Sequence, residues 1–577
     1  MSGSYGNLRT AIPFRRLRAG FNGNAFHLCC VVLLSMGVFL VATQVVSSQQ
    51  SAEVQTKRAS QPRQSSIGKE VSVPTHLKDG DEFSIPLEAL IQHGKLLFNA
   101  VWTEQEGGGR PLTKGTGRPL ADPSRPLTGS RSFNRISGPD ANSCAGCHNA
   151  PYGISGGGGD FVTNVFVLGQ RFDSASFDPS DKLPTRGAVD ETGRLATLET
   201  VANLRASTGM FGAGYLEMLA RQMTEELQKI RDGIRLGETK ALVAKGVSFG
   251  KLTLTKEGLW DTSKVEGLPR LSLLTTTSHD PPTLVIRPWH QASNVVSLRE
   301  FSNTAFNQHH GIQSTERFGL DTDLDGDGFK NEMTRADVTA VSVYQAVIAV
   351  PGRVIPRDPE IERAVMLGER VFESIGCATC HISRLPLDRQ GWIYSEPNPF
   401  NPPTNLRTGE TRDLKVDLSS PLLPSPRLSP DASGTVWVEA FTDFKLHNIC
   451  EAGEGEPLDM NQSQWSKKFT EGNCRFLTKR LWGAANEPPF FHHGLFTTLR
   501  QSVLAHSGEA KETREAFQKL SAAEQDALIE FLKTLQVLPP GTRDRIVDEN
   551  FRARTWPPKN DVPNRATVEV SKEARRP

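Results

Sequence analysis

Four stretches of this 577-residue chain carry a helical pattern of apolar positions, and they fall into two matching pairs. From Pro86 to Trp102, apolar Leu87, Leu90, Ile91, Leu97, Phe98 and Val101 recur near helical spacing, which predicts a helix with one buried stripe. Ile361 to Ile375 predicts a second. Both contain Gly-x-x-x-Phe, as Gly94/Phe98 and as Gly368/Phe372. The other pair comes later in each half. Thr334-Arg335-Ala336-Asp337 opens a helix with Val341, Tyr344 and Ile348 on one face, ending before Pro351-Gly352. Ser521-Ala522-Ala523-Glu524 is a capping box ahead of Leu528, Phe531, Leu532 and Leu535, and the helix ends before Pro539-Pro540-Gly541.

A third match lies between these helices. Pro288-Trp289-His290 precedes Ser297-Leu298-Arg299 and then His309-His310-Gly311. Pro489-Phe490-Phe491-His492 precedes Thr498-Leu499-Arg500 and then His506-Ser507-Gly508. The order is kept, with about one extra helical turn in the first copy. The chain therefore reads as an internal duplication. About forty residues rich in Gly, Pro, Arg and Ser precede Cys144, and 382–435 is a proline-rich excursion of loops and short strands.

The chemistry sits behind the first helix of each pair. Cys144-Ala145-Gly146-Cys147-His148 and Cys377-Ala378-Thr379-Cys380-His381 are both C-x-x-C-H. Two thiols at this spacing can add to the two vinyl groups of one porphyrin, and the adjacent histidine reaches the iron. A zinc or thiol-redox C-x-x-C is the competing reading, but two matches that both end in His favour two covalent haems of the c type. The fold expected is mainly α: two fused cytochrome-c-like domains with long irregular insertions. The boundaries expected are a signal or anchor segment (1–48), a linker (49–80), the first haem domain (81–352), the second (353–541) and a polar tail (542–577).

His148 and His381 are the expected proximal ligands, and the sixth position on each iron decides function. His506 is the candidate that closes the second haem. His309 or His310 stands in the matching place for the first, either as a ligand or as a catalytic acid and base in the distal pocket. His492 and His493 lie near this shell, and His290 and His447 read more simply as hydrogen-bonded core residues. Asp321, Asp323, Asp325, Asp327 and Glu332 fit D-x-D-x-D-G-x5-E, a pattern of hard oxygen ligands suited to Ca²⁺. The glycine run 156–159 suits close backbone approach to a porphyrin edge.

Arg9, Arg15, Arg16 and Arg18 precede an uncharged apolar stretch, 26–48, long enough to span a bilayer. The body of the protein is expected outside the cytoplasm, in the periplasm or an equivalent space, with a possible membrane tether. Of eight cysteines, two lie in that stretch and four hold haem. Cys450 and Cys474 remain, and an oxidising compartment favours a disulfide between them. Net charge is +1, which gives no sign of a nucleic-acid partner.

At these residues the chain resembles the di-haem cytochrome c peroxidase superfamily, which includes MauG-type enzymes. It is most similar to the di-haem oxidoreductase branch, sometimes labelled thiol oxidoreductase. The resemblance covers about residues 80–541. It rests on Ser143 to His148, Phe211-Gly212-Ala213-Gly214, Ser297-Leu298-Arg299-Glu300, the Asp-rich loop, Cys377 to His381, and Leu481-Trp482-Gly483 through Pro489-Phe490-Phe491-His492-His493-Gly494. It implies that the C-terminal haem takes electrons from a small donor protein, a cytochrome or cupredoxin. The N-terminal haem would then meet peroxide or another small oxidant. Where many family members bind the C-terminal iron with Met or Tyr, this chain has His506, and their distal Glu falls near His309-His310. A non-enzymatic di-haem electron carrier and a MauG-like or oxygenase-type enzyme acting on an organic substrate are the alternatives.

Overall fold

Two glycines set how the predicted helices meet. In this computed structural model the helices that matter are α1 (Leu87–Asn99), α2 (Ala213–Asp232), α3 (Leu298–Ala305), α4 (Arg335–Ala346), α5 (Pro359–Ser374), α6 (Leu499–Leu504) and α7 (Ala522–Lys533). The structure describes residues 67–109, 141–149, 155–158, 161–164, 203–323, 327–451 and 472–558. The apolar segment 26–48 and Asp325 lie outside the described residues. Among those described, no helix is long and apolar enough to cross a membrane.

α1 packs on α4, and α5 packs on α7. A Cβ on Gly94 would collide with the Ala340 carbonyl and with Cβ of Tyr344. A Cβ on Gly368 would collide with the Ala527 carbonyl and with Cβ of Phe531. Only glycine lets these backbones approach so closely. Next to each crossing, Phe98 meets Tyr344 at 5.4 Å between ring centroids, and Phe372 meets Phe531 at 5.3 Å. The Gly-x-x-x-Phe pattern thus encodes the same helix crossing twice.

The expectation of a mainly α molecule is corrected: helix makes up 32% of the described residues and strand 15%. The difference comes from what is inserted between the helices. Glu238–Ala244, Val247–Leu254 and Trp260–Asp261 form a three-stranded antiparallel ribbon. Lys245 (φ 50°) and Gly246 (φ 82°) turn its first hairpin with the left-handed pair of a type I′ turn. Three further two-stranded pairs, at 385–387 with 436–438, 393–396 with 414–417 and 446–448 with 475–477, fill the second half. Gly352–Val354 lies between Leu535–Gln536 and Ile546–Val547, so residues past 541 add a strand to this sheet.

Among the described residues Cys450 and Cys474 are not joined. Asn448 pairs with Arg475 and the Ile449 N–H donates to the Cys474 carbonyl (3.1 Å), which brings the two cysteine-bearing segments together.

One buried carboxylate ties α1 and the segment before it to α4. Asp337 accepts from His76 Nδ1 (2.7 Å), His93 Nε2 (2.7 Å), the Leu77 N–H (3.0 Å) and the Thr334 N–H (3.1 Å). Burial alone would raise this carboxyl, but the hydrogen bonds from His76 and His93 win and hold it well below the usual range. A folded-state value below the unfolded one of about 4 gives stability that is present above that pH and lost as pH falls. Asp337→Asn should therefore cost about 2 kcal/mol near neutral pH, with the gap to the parent narrowing below about pH 4. Thermal melts at both pH values check this; an equal gap would contradict it.

Candidate haem sites

The N-terminal site starts on one turn of helix, Cys144–Cys147, which closes with the His148 N–H donating to the Cys144 carbonyl (2.8 Å). His148 Nδ1 lies 3.2 Å from the Gly157 carbonyl. A carbonyl only accepts, so Nδ1 carries the proton and Nε2 is left with the lone pair that a metal needs. The rings of Phe98 (6.2 Å) and Phe301 (6.1 Å) flank the imidazole. Burial pushes His148 down to about 4, against the pull of the Gly157 backbone, so the ring is neutral. Burial likewise pushes the Cys144 thiol up to about 12.

The C-terminal site repeats this arrangement. The His381 N–H donates to the Cys377 carbonyl (3.0 Å), and His381 Nδ1 donates to the Phe441 carbonyl (3.1 Å). Burial pushes His381 down to about 4, with the nearby His506 adding to the shift. His506 faces His381 at 6.4 Å between ring centroids, with the planes at 67°. Its own Nδ1 donates to the Ser502 carbonyl (2.8 Å), so its Nε2 is also the basic nitrogen. Two metal–nitrogen bonds of about 2 Å plus the two ring radii span about 6 Å, so one metal fits between them.

The side chains present fit two haems. Both cysteine pairs line cavities whose walls are largely apolar. Lys479 and Arg480 are half-buried on the wall of the C-terminal cavity, and the buried Nη2 of Arg480 has no hydrogen-bond partner. A buried, unsatisfied guanidinium suits an anionic group such as a porphyrin carboxylate. Cys380 also meets Asp443 and His447 in the one cluster of three metal-ligating side chains among the described residues. A thioether at Cys380 removes that thiol from the cluster. His447 is already held by Asp443 (2.8 Å) and Glu509 (2.7 Å).

The two sites differ on their far side. α3 and α6 start on equivalent caps: Ser297 Oγ accepts from the Glu300 N–H (2.9 Å), and Thr498 Oγ accepts from the Gln501 N–H (3.2 Å). With Ser297 laid on Thr498, Arg299 falls on Arg500 and Ala305 falls on His506. Ala305 lines the N-terminal cavity. His309 and His310 come a turn later, on a π-helical turn, Phe306–His310. This wide turn, of a kind frequent at functional sites, is the extra turn that the sequence comparison requires. Both histidines line the N-terminal cavity, and His309 adds to the depression of His148. His310 donates from Nδ1 to the Ala141 carbonyl (3.0 Å), and its Nε2 lies 3.5 Å from Cys144 Sγ, at the thioether edge.

Sequence reasoning missed how α3 is held. Glu217 on α2 accepts from the Leu298 N–H (2.7 Å), Arg299 pairs with Glu316 (2.6 Å), and Asn303 donates to Asn405 (3.0 Å). It also left open which tryptophan lies between the cavities. Trp289 lines the N-terminal cavity, and the Arg480 guanidinium stands 5.6 Å from its ring. Thr208, His290 and Gln291 line both cavities. In the Asp-rich loop, Asp321 pairs with the Asn331 side chain (2.8 Å), and Asp323 accepts from the N–H groups of Asp327 (3.2 Å) and Gly328 (3.0 Å). Glu332 turns inward to accept from the Gln313 N–H (2.8 Å). Among the described residues, no three of these carboxylates converge.

Residues 431–535 match the family described as "Di-haem oxidoreductase, putative peroxidase". That segment, under a fifth of the chain, begins after both C-x-x-C-H motifs and includes Arg480, Glu487, His506 and α7. No curated protein matches the sequence. A chain from the structure "Kuenenia stuttgartiensis Hydrazine Synthase Pressurized with 20 bar Xenon" is similar at 14% identity and a TM-score of 0.23, over 55% of this chain and 87% of its own. Similarity at that level carries no structural argument.

Proposed function

We propose that this protein is a di-haem oxidoreductase, a c-type peroxidase. Electrons would enter at the site of His381 and His506, and peroxide would be reduced at the site of His148. The observation that carries this reading is the unequal pair at the same count from equivalent caps: Ala305 ends α3, and His506 lies two residues past the end of α6. When bound, the haems supply one-electron redox chemistry, and an iron without a sixth protein ligand has room for peroxide.

Reducing hydrogen peroxide to two waters takes two protons as well as two electrons. His309 and His310 stand a turn beyond the open position, close enough to hold and deliver protons without displacing the oxidant. Phe98, Phe301 and Trp289 wall the same cavity. On the other side, His506 closes the C-terminal site, which suits electron transfer. Arg480, on the C-terminal cavity, stands 5.6 Å from the ring of Trp289 on the N-terminal one. A small soluble cytochrome or cupredoxin would be the donor. The apolar stretch 26–48 supports a periplasmic address with a membrane tether.

The test is peroxide-dependent oxidation of a reduced donor by haem-loaded His309→Gln and His310→Gln. Loss of the proton-handling imidazole should lower turnover about 10²–10⁴-fold with both haem spectra intact. Full activity in both variants would contradict the proposal.

A further inference from the structure

The two proximal histidines share a first contact and differ at the second. Each donates Nδ1–H to a backbone carbonyl, Gly157 for His148 and Phe441 for His381. Each of those carbonyls belongs to a peptide whose N–H sits on the next residue. The Thr442 N–H donates to the neutral carbonyl of Ile382 (3.1 Å). The Gly158 N–H donates to Oε1 of Glu487 (3.1 Å), a carboxylate from the other half of the chain.

We infer that Glu487 is a positioning and tuning residue for the N-terminal haem, acting through the Gly157–Gly158 peptide on the Nδ1 proton of His148. The inference rests on reading His148 as an iron ligand. A carboxylate that accepts a peptide N–H polarises the whole unit and makes its carbonyl a stronger acceptor. A stronger acceptor at Nδ1 pulls the imidazole toward imidazolate character and raises its basicity as a ligand. His381, whose peptide ends on a neutral carbonyl, does not receive this push. The two irons therefore differ in their proximal ligands as well as in their sixth positions.

The approach of the carboxylate is built into the chain. A Cβ on Gly209 would collide with the Glu487 carboxylate, and a Cβ on Gly158 would collide with the Ser207 carbonyl. Glu487 is only 5% exposed. Burial pushes the Glu487 carboxyl up, and the charges of Lys479 and Arg480 beside it work against that shift. The same Arg480 lines the C-terminal cavity, so one buried cluster touches both sites.

The test is potentiometry of the haem-loaded protein with Glu487→Gln, which keeps the shape and removes the charge. The N-terminal midpoint potential should rise, and the C-terminal midpoint should move less. Gly209→Ala keeps the charge but displaces the carboxylate, and it should shift the N-terminal midpoint in the same direction. In the reduced parent protein, the resonance Raman iron–histidine stretch of the N-terminal haem should lie above the range of neutral imidazole, and it should fall in Glu487→Gln. An unchanged N-terminal midpoint, or equal shifts at both haems, overturns the inference. Absence of any five-coordinate iron–histidine band counts against the open-site reading instead, and the midpoints still decide the role of Glu487.

Discussion

Ala305→His is expected to convert the N-terminal haem to a six-coordinate, low-spin centre and to lower peroxide turnover by on the order of 10³-fold. The substitution copies the C-terminal half into the N-terminal one. α3 and α6 start on equivalent side-chain caps, and Ala305 falls on His506 in that register. Ala305 faces the cavity that holds Cys144, Cys147 and His148, so an imidazole there would compete with the oxidant for the iron. The checks are the absorption spectrum of the ferric protein and steady-state peroxide consumption. Unchanged spin state and turnover would show that the equivalence of the two helices does not extend to the irons.

His506→Ala should have the opposite spectroscopic effect at the other site. The C-terminal haem should lose its low-spin signature while both haems stay covalently attached, because the thioethers depend on Cys377 and Cys380. Turnover with a reduced donor protein should fall by on the order of 10²-fold or more, since an iron whose coordination changes with redox state exchanges electrons slowly. Peroxide binding at the N-terminal haem should be unaffected. The 6.4 Å separation of the His381 and His506 rings is the basis for this expectation. Stopped-flow reduction by the donor, followed at the C-terminal haem, separates the two steps. A C-terminal haem that remains low-spin would mean that another side chain holds the sixth position.

Features written in short stretches of sequence were legible. The caps Ser521/Glu524 and Thr334/Asp337 and the two Gly-x-x-x-Phe patterns each depend on neighbours within one or two turns, and each forms as expected. The expectation of a mainly α fold failed because it counted the four bounding helices, gave the short strands of 382–435 little weight and read no strands at 238–261. Yet Leu242 and Ala244, then Val247 and Phe249, alternate with exposed residues on either side of Lys245-Gly246. That is a hairpin signal.

The differences between the two sites were harder to see. Both halves have histidines after an S/T-L-R cap; the spacing shows an extra turn in the first copy, and the structure shows that it is π-helical and carries His309 and His310. Glu487, Glu217 and Asn405 act on groups far away in the chain, so no local pattern marks them. Sequence periodicity reports which face of an element is buried. It does not report which buried polar group it meets there.

The account depends most on two haems with unequal sixth positions, and electron paramagnetic resonance of the resting ferric protein tests this directly. The predicted result is one high-spin and one low-spin signal of equal intensity, with the low-spin signal lost in His506→Ala. Two low-spin signals in the unsubstituted protein would contradict it.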